Sequence, residues 1–97
     1  MVYFLVDTYI DAQKREAYDA YIEAVKPIVE SYGGEYLARS EKVVSLHEKR
    51  DPQRVIIIRF PSKERLNACF SSPEYIAIQS LREVSVDARA LIVEEEE

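Results

Sequence analysis

Two segments of the chain place apolar side chains on both sides of a strand. Residues 55–60 read Val-Ile-Ile-Ile-Arg-Phe, with four β-branched residues in a row and an aromatic at the end. Because consecutive strand residues point to opposite faces of a sheet, this segment is apolar on both faces. Residues 2–10 behave in the same way, with Asp7 as the charged exception on their second face. Both segments are predicted to be central strands.

Apolar residues at steps of three and four predict a long helix after the first strand. Asp11 can cap it, and Gly33 can adopt the left-handed conformation that ends it. Pro27 lies inside the pattern, so we expect a kink or a restart there. The apolar stripe consists of Tyr18, Tyr21, Ile22, Val25, Ile28, Val29 and Tyr32.

Two shorter helices are predicted after residue 60. Ser62 can cap the first of them, which would turn Leu66, Cys69 and Phe70 inward. The second begins at Ser72-Pro73-Glu74, a capping serine followed by proline and an acid in the first turn. On this helix, Tyr75, Ile78 and Arg82 have the spacing of one stripe.

The remaining segments predict two more strands. Residues 36–39 and 43–46 look extended, and the polar residues 40–42 between them suggest a bulge or bend. Residues 47–53, which contain Asp51-Pro52, are predicted to be a polar hairpin loop leading back into the central strand. The last strand is predicted over residues 88–93, with apolar residues on both faces.

The resulting order, β-α-β-β-α-β, predicts an α+β ferredoxin-like fold with an antiparallel sheet and helices on one face. We expect residues 1–97 to form one domain. Since the helices cover only one face, the apolar residues on the other face need a second cover in water. The simplest cover is another copy of the chain related by two-fold symmetry, so the sequence predicts a homodimer.

Composition narrows the functional classes. The chain has 47% hydrophobic and 32% charged residues, as in a globular domain. The net charge of −5 comes mostly from an acidic tail, residues 94–97. The nearly neutral remainder is unlike the clustered basic surface that nucleic-acid binding requires.

The sequence also bears on location. No apolar run approaches the roughly 20 residues of a membrane span. We also find no signal-peptide pattern at the start, and the single cysteine, Cys69, suits a reducing compartment. The sequence therefore predicts a cytoplasmic protein with no membrane or nucleic-acid partner.

Several of these features together resemble the family catalogued as domain of unknown function 1330, within the dimeric alpha-beta barrel superfamily. The resemblance implies a ferredoxin-like monomer and a dimer whose two sheets form a barrel, but no established reaction. The chain departs from the family pattern at Ser40-Glu41 and at His47-Glu48, so we expect a differently shaped bend and hairpin. The matching features are Tyr18 and Tyr21 before Pro27, Tyr32-Gly33-Gly34-x-Tyr36-x-x-Arg39, Phe60-Pro61-Ser62, Ser72-Pro73-Glu74-Tyr75, Arg82 and Leu91-Ile92-Val93-Glu94.

The resemblance also suggests where a ligand would bind, because related barrels often hold a small molecule between sheet and helices. Guanidinium and phenol groups there could bind a carboxylate or enolate through charge-assisted hydrogen bonds. Each candidate also has a structural interpretation: a helix cap for Ser72, packing for the tyrosines, and ion pairs or dimer contacts for the arginines. The candidates are Arg39, Ser72, Tyr75, Arg82 and Tyr21.

Other reactive residues give weaker signals. The single histidine, His47, is interpreted as a solvated loop residue, and Cys69 as a small core residue. Neither belongs to a ligand-spaced cluster, so we expect no metal or other cofactor. Asp7 and Arg59 are the charged exceptions on the two central strands, and they are predicted to pair across the sheet.

Three functions fit these observations. The leading hypothesis is a homodimeric barrel domain that binds a small anionic or aromatic organic molecule. The second is a cofactor-independent enzyme, monooxygenase-like or isomerase-like, that uses the same cavity. The third is a purely structural or interaction module.

Overall fold

Four strands and three helices follow one another in the predicted ferredoxin-like order. The computed structural model describes residues 1–96. A short 3-10 turn at Ala12–Lys14 precedes the first helix. The elements are β1 (Val2–Ile10), α1 (Arg15–Ser31), β2 (Glu35–Ser40), β3 (Arg54–Phe60), α2 (Lys63–Phe70), α3 (Pro73–Ser85) and β4 (Val86–Glu94).

The strands form one antiparallel sheet in the order β2-β3-β1-β4, so β1 and β3 are central, as predicted. Phe4 lies opposite Ile58 on β3 and opposite Ile92 on β4. We call the face that packs on the helices the covered face. Its residues in the buried core are Val2, Val6, Thr8, Ile56, Ile58 and Phe60.

Helices α2 and α3 begin at their predicted capping residues, whereas Asp11 caps the 3-10 turn and α1 begins after Lys14 without a side-chain cap. Asp11 accepts a hydrogen bond from the backbone of Gln13, and Ser62 and Ser72 cap α2 and α3. Gly33 has φ +85°, the left-handed conformation expected after α1. At Gly34, an added Cβ would lie 2.4 Å from a methyl group of Val29, so only glycine fits this approach of helix and strand.

Two predictions about the local backbone, at Pro27 and at residues 40–42, have different outcomes. The predicted restart at Pro27 is absent, because α1 runs without interruption from Arg15 to Ser31. Pro27 and Glu23 are both exposed, so water can bind the carbonyl that the proline leaves free. The β-bulge lies between Tyr36 and Ala38. The bulge or bend predicted over residues 40–42 is confirmed as a bend at Glu41.

The predicted strand over residues 43–46 is wrong. Val44 and Leu46 lie in the connection between β2 and β3 and are 87% and 99% exposed. Ser40 pairs with Val55, and three further steps of the same register would place Val43 opposite Pro52. Proline has no N–H for a ladder, so the sheet cannot continue through this position.

The predicted Asp7–Arg59 pair is also wrong. The register places Arg59 opposite Tyr3 instead, four residues away along β1. Asp7 accepts a hydrogen bond from Nε of Arg50 at 2.6 Å, and Arg59 donates to Glu35 at 2.5 Å. Sequence pattern identifies the two faces of a strand, but this pairing depends on register, which is set by the whole sheet.

No described helix lies on the second face of the sheet, which we call the open face. The molecule is only 16 Å thick along its shortest axis, as expected for one layer of helices on one sheet. Leu91 and Val93 point to this face and are 62% and 46% exposed. The open face also contains Leu5, Val55 and Ile57, which are only partly buried.

Candidate functional site

A cavity of about 350 Å³ lies between the covered face and the helices. Most of its lining is aliphatic or aromatic and comes from the predicted core positions of α1, β1 and β3. A few polar side chains also line the cavity, and most of them belong to the two longer helices. The polar lining residues are Thr8, Tyr18, Tyr21, Tyr36, Tyr75, Gln79 and Arg82.

Tyr21 of α1 and Tyr75 of α3 join the two helices above the cavity. Their hydroxyl oxygens are 2.9 Å apart in a buried hydrogen bond, and their rings meet edge to face. Burial raises the pKa of Tyr21 well above its ordinary value; Tyr75 raises it further, and Arg82 offsets part of the rise. Tyr21 is therefore a neutral hydrogen-bonding group at physiological pH.

Arg82 is the only charged residue among the described residues that line the cavity. It belongs to the last turn of α3, where a positive charge is favourable near the helix C-terminus. Its Nε is buried and has no hydrogen-bond partner within residues 1–96. An unpartnered buried donor is costly, so this atom favours a ligand or water that accepts a hydrogen bond.

A second polar group comes from Tyr18, on the turn of α1 before Tyr21. The guanidinium carbons of Arg15 and Arg54 lie over its ring, 5.7 and 5.6 Å from the ring centre. Glu41 accepts hydrogen bonds from both arginines at 2.7–2.8 Å. These hydrogen bonds, first from Arg15 and then from Arg54, lower the pKa of Glu41 to about 2.

The hydroxyl of Tyr18 is buried, and no described residue forms a hydrogen bond with it. Burial is the main reason that the pKa of this phenol is raised, and the nearby hydroxyl of Thr8, which donates to the Arg54 carbonyl, offsets part of the rise. Burial also raises the pKa of Tyr36 to about 12, partly opposed by the charge of Arg39. These phenols therefore remain protonated at neutral pH and cannot act there as general bases.

The structure brings together three of the five predicted site residues, namely Tyr21, Tyr75 and Arg82. Ser72 does not line the cavity. Its hydroxyl donates to the Cys69 carbonyl at 2.7 Å and accepts from the Tyr75 backbone at 3.1 Å, as its helix-cap interpretation requires.

Arg39 does not line the cavity either. Its guanidinium lies 5.6 Å from the ring centre of Tyr36, which does line it. Nη2 of Arg39 is 3.8 Å from the exposed carboxylate of Glu23, a long ion pair. Its Nη1 is buried and unpartnered in the described chain. The residue thus packs behind a cavity wall.

Sequence reasoning did not include Tyr18 and Gln79 among the site residues. A usable signal existed for Gln79, because it lies four residues after Tyr75 and three before Arg82, on the same helical stripe. Tyr18 shares a stripe with Tyr21 and was interpreted as core. Only the three-dimensional structure shows that one hydroxyl has a partner and the other lacks one.

The remaining reactive residues are separate from the cavity. Cys69 is buried, and burial raises the pKa of its thiol to about 11, so it is a poor nucleophile. Over residues 1–96, no group of three His, Cys, Asp or Glu residues is arranged to hold a metal ion. No helix in this range has the length and hydrophobicity required to cross a membrane.

The family model for the domain of unknown function DUF1330 matches residues 1–96. The chain is a DUF1330 domain. This confirms the family resemblance inferred from its residues. No curated protein sequence matches this DUF1330 domain significantly.

Solved structures similar to this DUF1330 domain share its ferredoxin-like fold. RPA0582, a protein of unknown function from Rhodopseudomonas palustris, has a TM-score of 0.82 at 20% identity, covering 99% of this chain and 82% of that chain. SnoaB, a cofactor-independent oxygenase from Streptomyces nogalater, has a TM-score of 0.70 at 8% identity, with coverages of 99% and 93%.

A third similar structure is described as a dimeric protein of unknown function with a ferredoxin-like fold, from Bacteroides fragilis. It has a TM-score of 0.66 at 10% identity and covers 97% of this chain and 95% of that chain. At these identities, the similarities establish the fold of the DUF1330 domain and leave its ligand open.

Proposed function

We propose that this protein is a homodimer that binds one small, largely apolar organic anion in the cavity of each subunit. The observation that carries the proposal is the buried, unpartnered Nε of Arg82 in a wall that is otherwise mostly apolar. An anionic oxygen placed beside Arg82 would accept this hydrogen bond and lie next to its positive charge.

The hydroxyl groups of Tyr21 and Tyr75 support the same interpretation. Because the two groups share one hydrogen bond, one hydroxyl hydrogen remains available to a ligand oxygen. A carboxylate or an enolate can accept from this hydroxyl and from Arg82 at once. Both donors are on rigid helices, so little reorganisation is needed for binding.

The size of the cavity limits the ligand. A volume of about 350 Å³ lies near the lower end of the roughly 300–1,000 Å³ that is typical of small-molecule sites. Aromatic walls from Phe4 and Phe70, whose ring centres are 4.8 Å apart, favour a flat apolar body. We therefore favour a compact aromatic carboxylate or enolate over a sugar, nucleotide or lipid.

The open face is the surface through which the two subunits of the proposed homodimer would associate. Leu5, Ile57 and Leu91 form an apolar surface at the centre of the sheet, and no described helix covers it. Two copies related by two-fold symmetry would cover each other with no other partner. The cytoplasmic location remains a prediction from the sequence.

A cofactor-independent oxygenase is the second candidate, supported by the fold shared with SnoaB. None of the described lining residues has a carboxylate or imidazole, and Tyr21 is held neutral. The cavity therefore has no evident base at neutral pH, which disfavours an isomerase that must remove a proton from carbon. An oxygenase would need a substrate that enters already ionised.

The binding proposal can be tested by titrating the protein with benzoate and its neutral analogue, benzamide. We expect wild type to prefer benzoate, and Arg82→Gln to lose about ten-fold in benzoate affinity while benzamide affinity changes little. Isothermal titration calorimetry measures both. Arg65→Gln, a change at an exposed arginine of α2, is the matched control.

Equal losses for benzoate and benzamide would mean that Arg82 shapes the cavity without recognising charge. No binding of either probe at millimolar concentration, with a correctly folded protein, would contradict a site for small aromatic anions. Turnover of a bound enolate in the presence of oxygen would instead favour the oxygenase.

A further inference from the structure

The hydroxyl of Tyr18 is a polar group in the cavity that the anion site does not use. Tyr18 is 1% exposed, and its side chain lines the cavity. Its oxygen forms no hydrogen bond of normal geometry in the part of the chain described, although the hydroxyl of Thr8, which donates to the Arg54 carbonyl, is close enough to lower its pKa. Leaving such a group unpaired is unfavourable, and a correctly placed ligand atom would remove this cost.

The ring of Tyr18 is held in place. The guanidinium groups of Arg15 and Arg54 lie over it, and Glu41 fixes both through hydrogen bonds. Because Arg15 is on α1 and Arg54 is on β3, the ring is held between helix and sheet. The hydroxyl is therefore presented by a pre-arranged support, as a recognition group would be.

Tyr21, one turn later on α1, provides the internal comparison. Its hydroxyl is also buried, but it forms a hydrogen bond with Tyr75 at 2.9 Å. The two tyrosines share a helix and a cavity, and they differ in whether the protein supplies a partner. The hydroxyl of Tyr18 is therefore the one that can form a hydrogen bond with an additional ligand atom.

We propose that the Tyr18 hydroxyl hydrogen-bonds to a second oxygen of the ligand, so that the site selects hydroxylated aromatic anions over unsubstituted ones. This inference rests on the proposed function, and it deepens that function by naming a specificity residue and a substrate class. A site with a buried polar group discriminates against an analogue that leaves this group unpaired.

The test compares benzoate with its three monohydroxy isomers in wild type and in Tyr18→Phe. We expect at least one isomer to bind wild type about ten-fold more tightly than benzoate does. In Tyr18→Phe this gain should be lost, while benzoate affinity stays within about two-fold of wild type. A purely structural role for the hydroxyl would change all four affinities together.

Unfolding without ligand supplies a second readout and a matched control. Tyr18→Phe removes an unpaired hydroxyl and should leave the urea midpoint unchanged or higher. Tyr21→Phe breaks a hydrogen bond and leaves the Tyr75 hydroxyl with one partner fewer, so its midpoint should fall. A fall for Tyr18→Phe as large as that for Tyr21→Phe would show that buried water already satisfies Tyr18, and would overturn the inference.

The outcomes separate the two proposals. If benzoate binds wild type but no hydroxylated isomer gains affinity, the role of Tyr18 is wrong and the anion site stands. The same conclusion follows if Tyr18→Phe keeps the gain. If none of the four compounds binds folded wild type, the anion site fails and the role of Tyr18 fails with it.

Discussion

The covered and open faces of the sheet are built from the same strands, yet their apolar residues have different surroundings. On β3, Ile58 points to the helices and is 3% exposed, whereas its neighbour Ile57 points to the open face and is only partly buried. On β4, Ala88 and Ala90 line the cavity, while Leu91 points away from it and is 62% exposed.

The difference shows which part of the fold one chain can complete alone. On the covered face, three helices supply a closed core around Phe60 and Val29, both with no exposed surface. The open face has an apolar centre, Leu5, Ile57 and Leu91, beside charged residues such as Asp7 and Arg59, and no described helix covers it. One subunit therefore accounts for the cavity, and the proposed second copy would cover the other face.

The largest effect is expected from a charge on the open face. In a two-fold interface, Leu91→Glu buries an uncompensated carboxylate in each copy, at roughly 3–5 kcal/mol apiece. We expect the dimer to be lost. Native mass spectrometry of freshly purified protein measures this change, and it would also detect a ligand that copurifies.

Ile76→Glu is the matched control for Leu91→Glu. Ile76 is on α3 and is 59% exposed, close to the value for Leu91, but it lies on the helix layer. We expect this variant to remain dimeric. A wild-type protein that is monomeric at micromolar concentration, or a Leu91→Glu variant that stays dimeric, would contradict the covering of the open face by a second copy.

The second largest effect is expected on the free energy of unfolding, when the adjacent isoleucines 57 and 58, which point to opposite faces, are each replaced by alanine. Ile58→Ala should lower the free energy of unfolding by about 2–5 kcal/mol at every protein concentration, because its cavity forms within one subunit. Ile57→Ala should cost little where the protein is monomeric and more where it is dimeric, since the proposed homodimer places Ile57 against the partner. Urea unfolding at several concentrations measures both.

Equal losses for Ile57→Ala and Ile58→Ala in the monomer would show that one subunit buries both faces alike. A loss for Ile57→Ala that does not depend on concentration would argue against a contact between subunits. Either result would contradict the proposal that the open face is buried only by a second subunit. The order of strands in the sheet would not be affected.

The smallest effect concerns the edge of the covered face, where Glu41 joins Arg15 to Arg54. Its pKa is lowered from 4.5 to about 2, so this carboxylate adds stability that is complete above about pH 4.5 and is lost as the pH falls towards 2. Because the carboxylate is 38% exposed, we expect Glu41→Gln to cost only about 0.5–1 kcal/mol at pH 7.

Chemical denaturation of Glu41→Gln and wild type from pH 7 to pH 2 measures this contribution, and the two curves should converge at the acid end. Glu48→Gln is the control, because Glu48 is exposed and forms no ion pair within the described chain. A Glu41→Gln deficit that stays constant down to pH 2 would assign the effect to lost packing.

Much of the fold could be predicted because local signals and the hydrophobic pattern agree. The capping residues Ser62 and Ser72 predicted the starts of α2 and α3, and the two-sided strands predicted the central positions of β1 and β3. The strand over residues 43–46 was predicted wrongly because its pattern is locally acceptable. The register would place Val43 opposite Pro52, which precedes β3 and has no N–H for the ladder, and the local pattern does not reveal this.

The candidate site could be predicted only in part. Helical spacing linked Tyr75 with Arg82, and the structure places both on the cavity. Nothing in the spacing distinguishes the hydroxyl of Tyr18 from that of Tyr21, since the difference lies in a partner from α3, more than 50 residues away in sequence. Contacts between distant segments are what a periodic pattern leaves undetermined.

The junction of α3 and β4 has a consequence for how this chain can change through evolution. Helix α3 ends at Ser85 and β4 begins at Val86, with no intervening loop to absorb an extra residue. A single insertion there would shift the strand by one position and exchange its two sets of side chains, turning Leu91 towards the helices. Related sequences should therefore vary in length within residues 41–53, while β4 diverges by substitution alone.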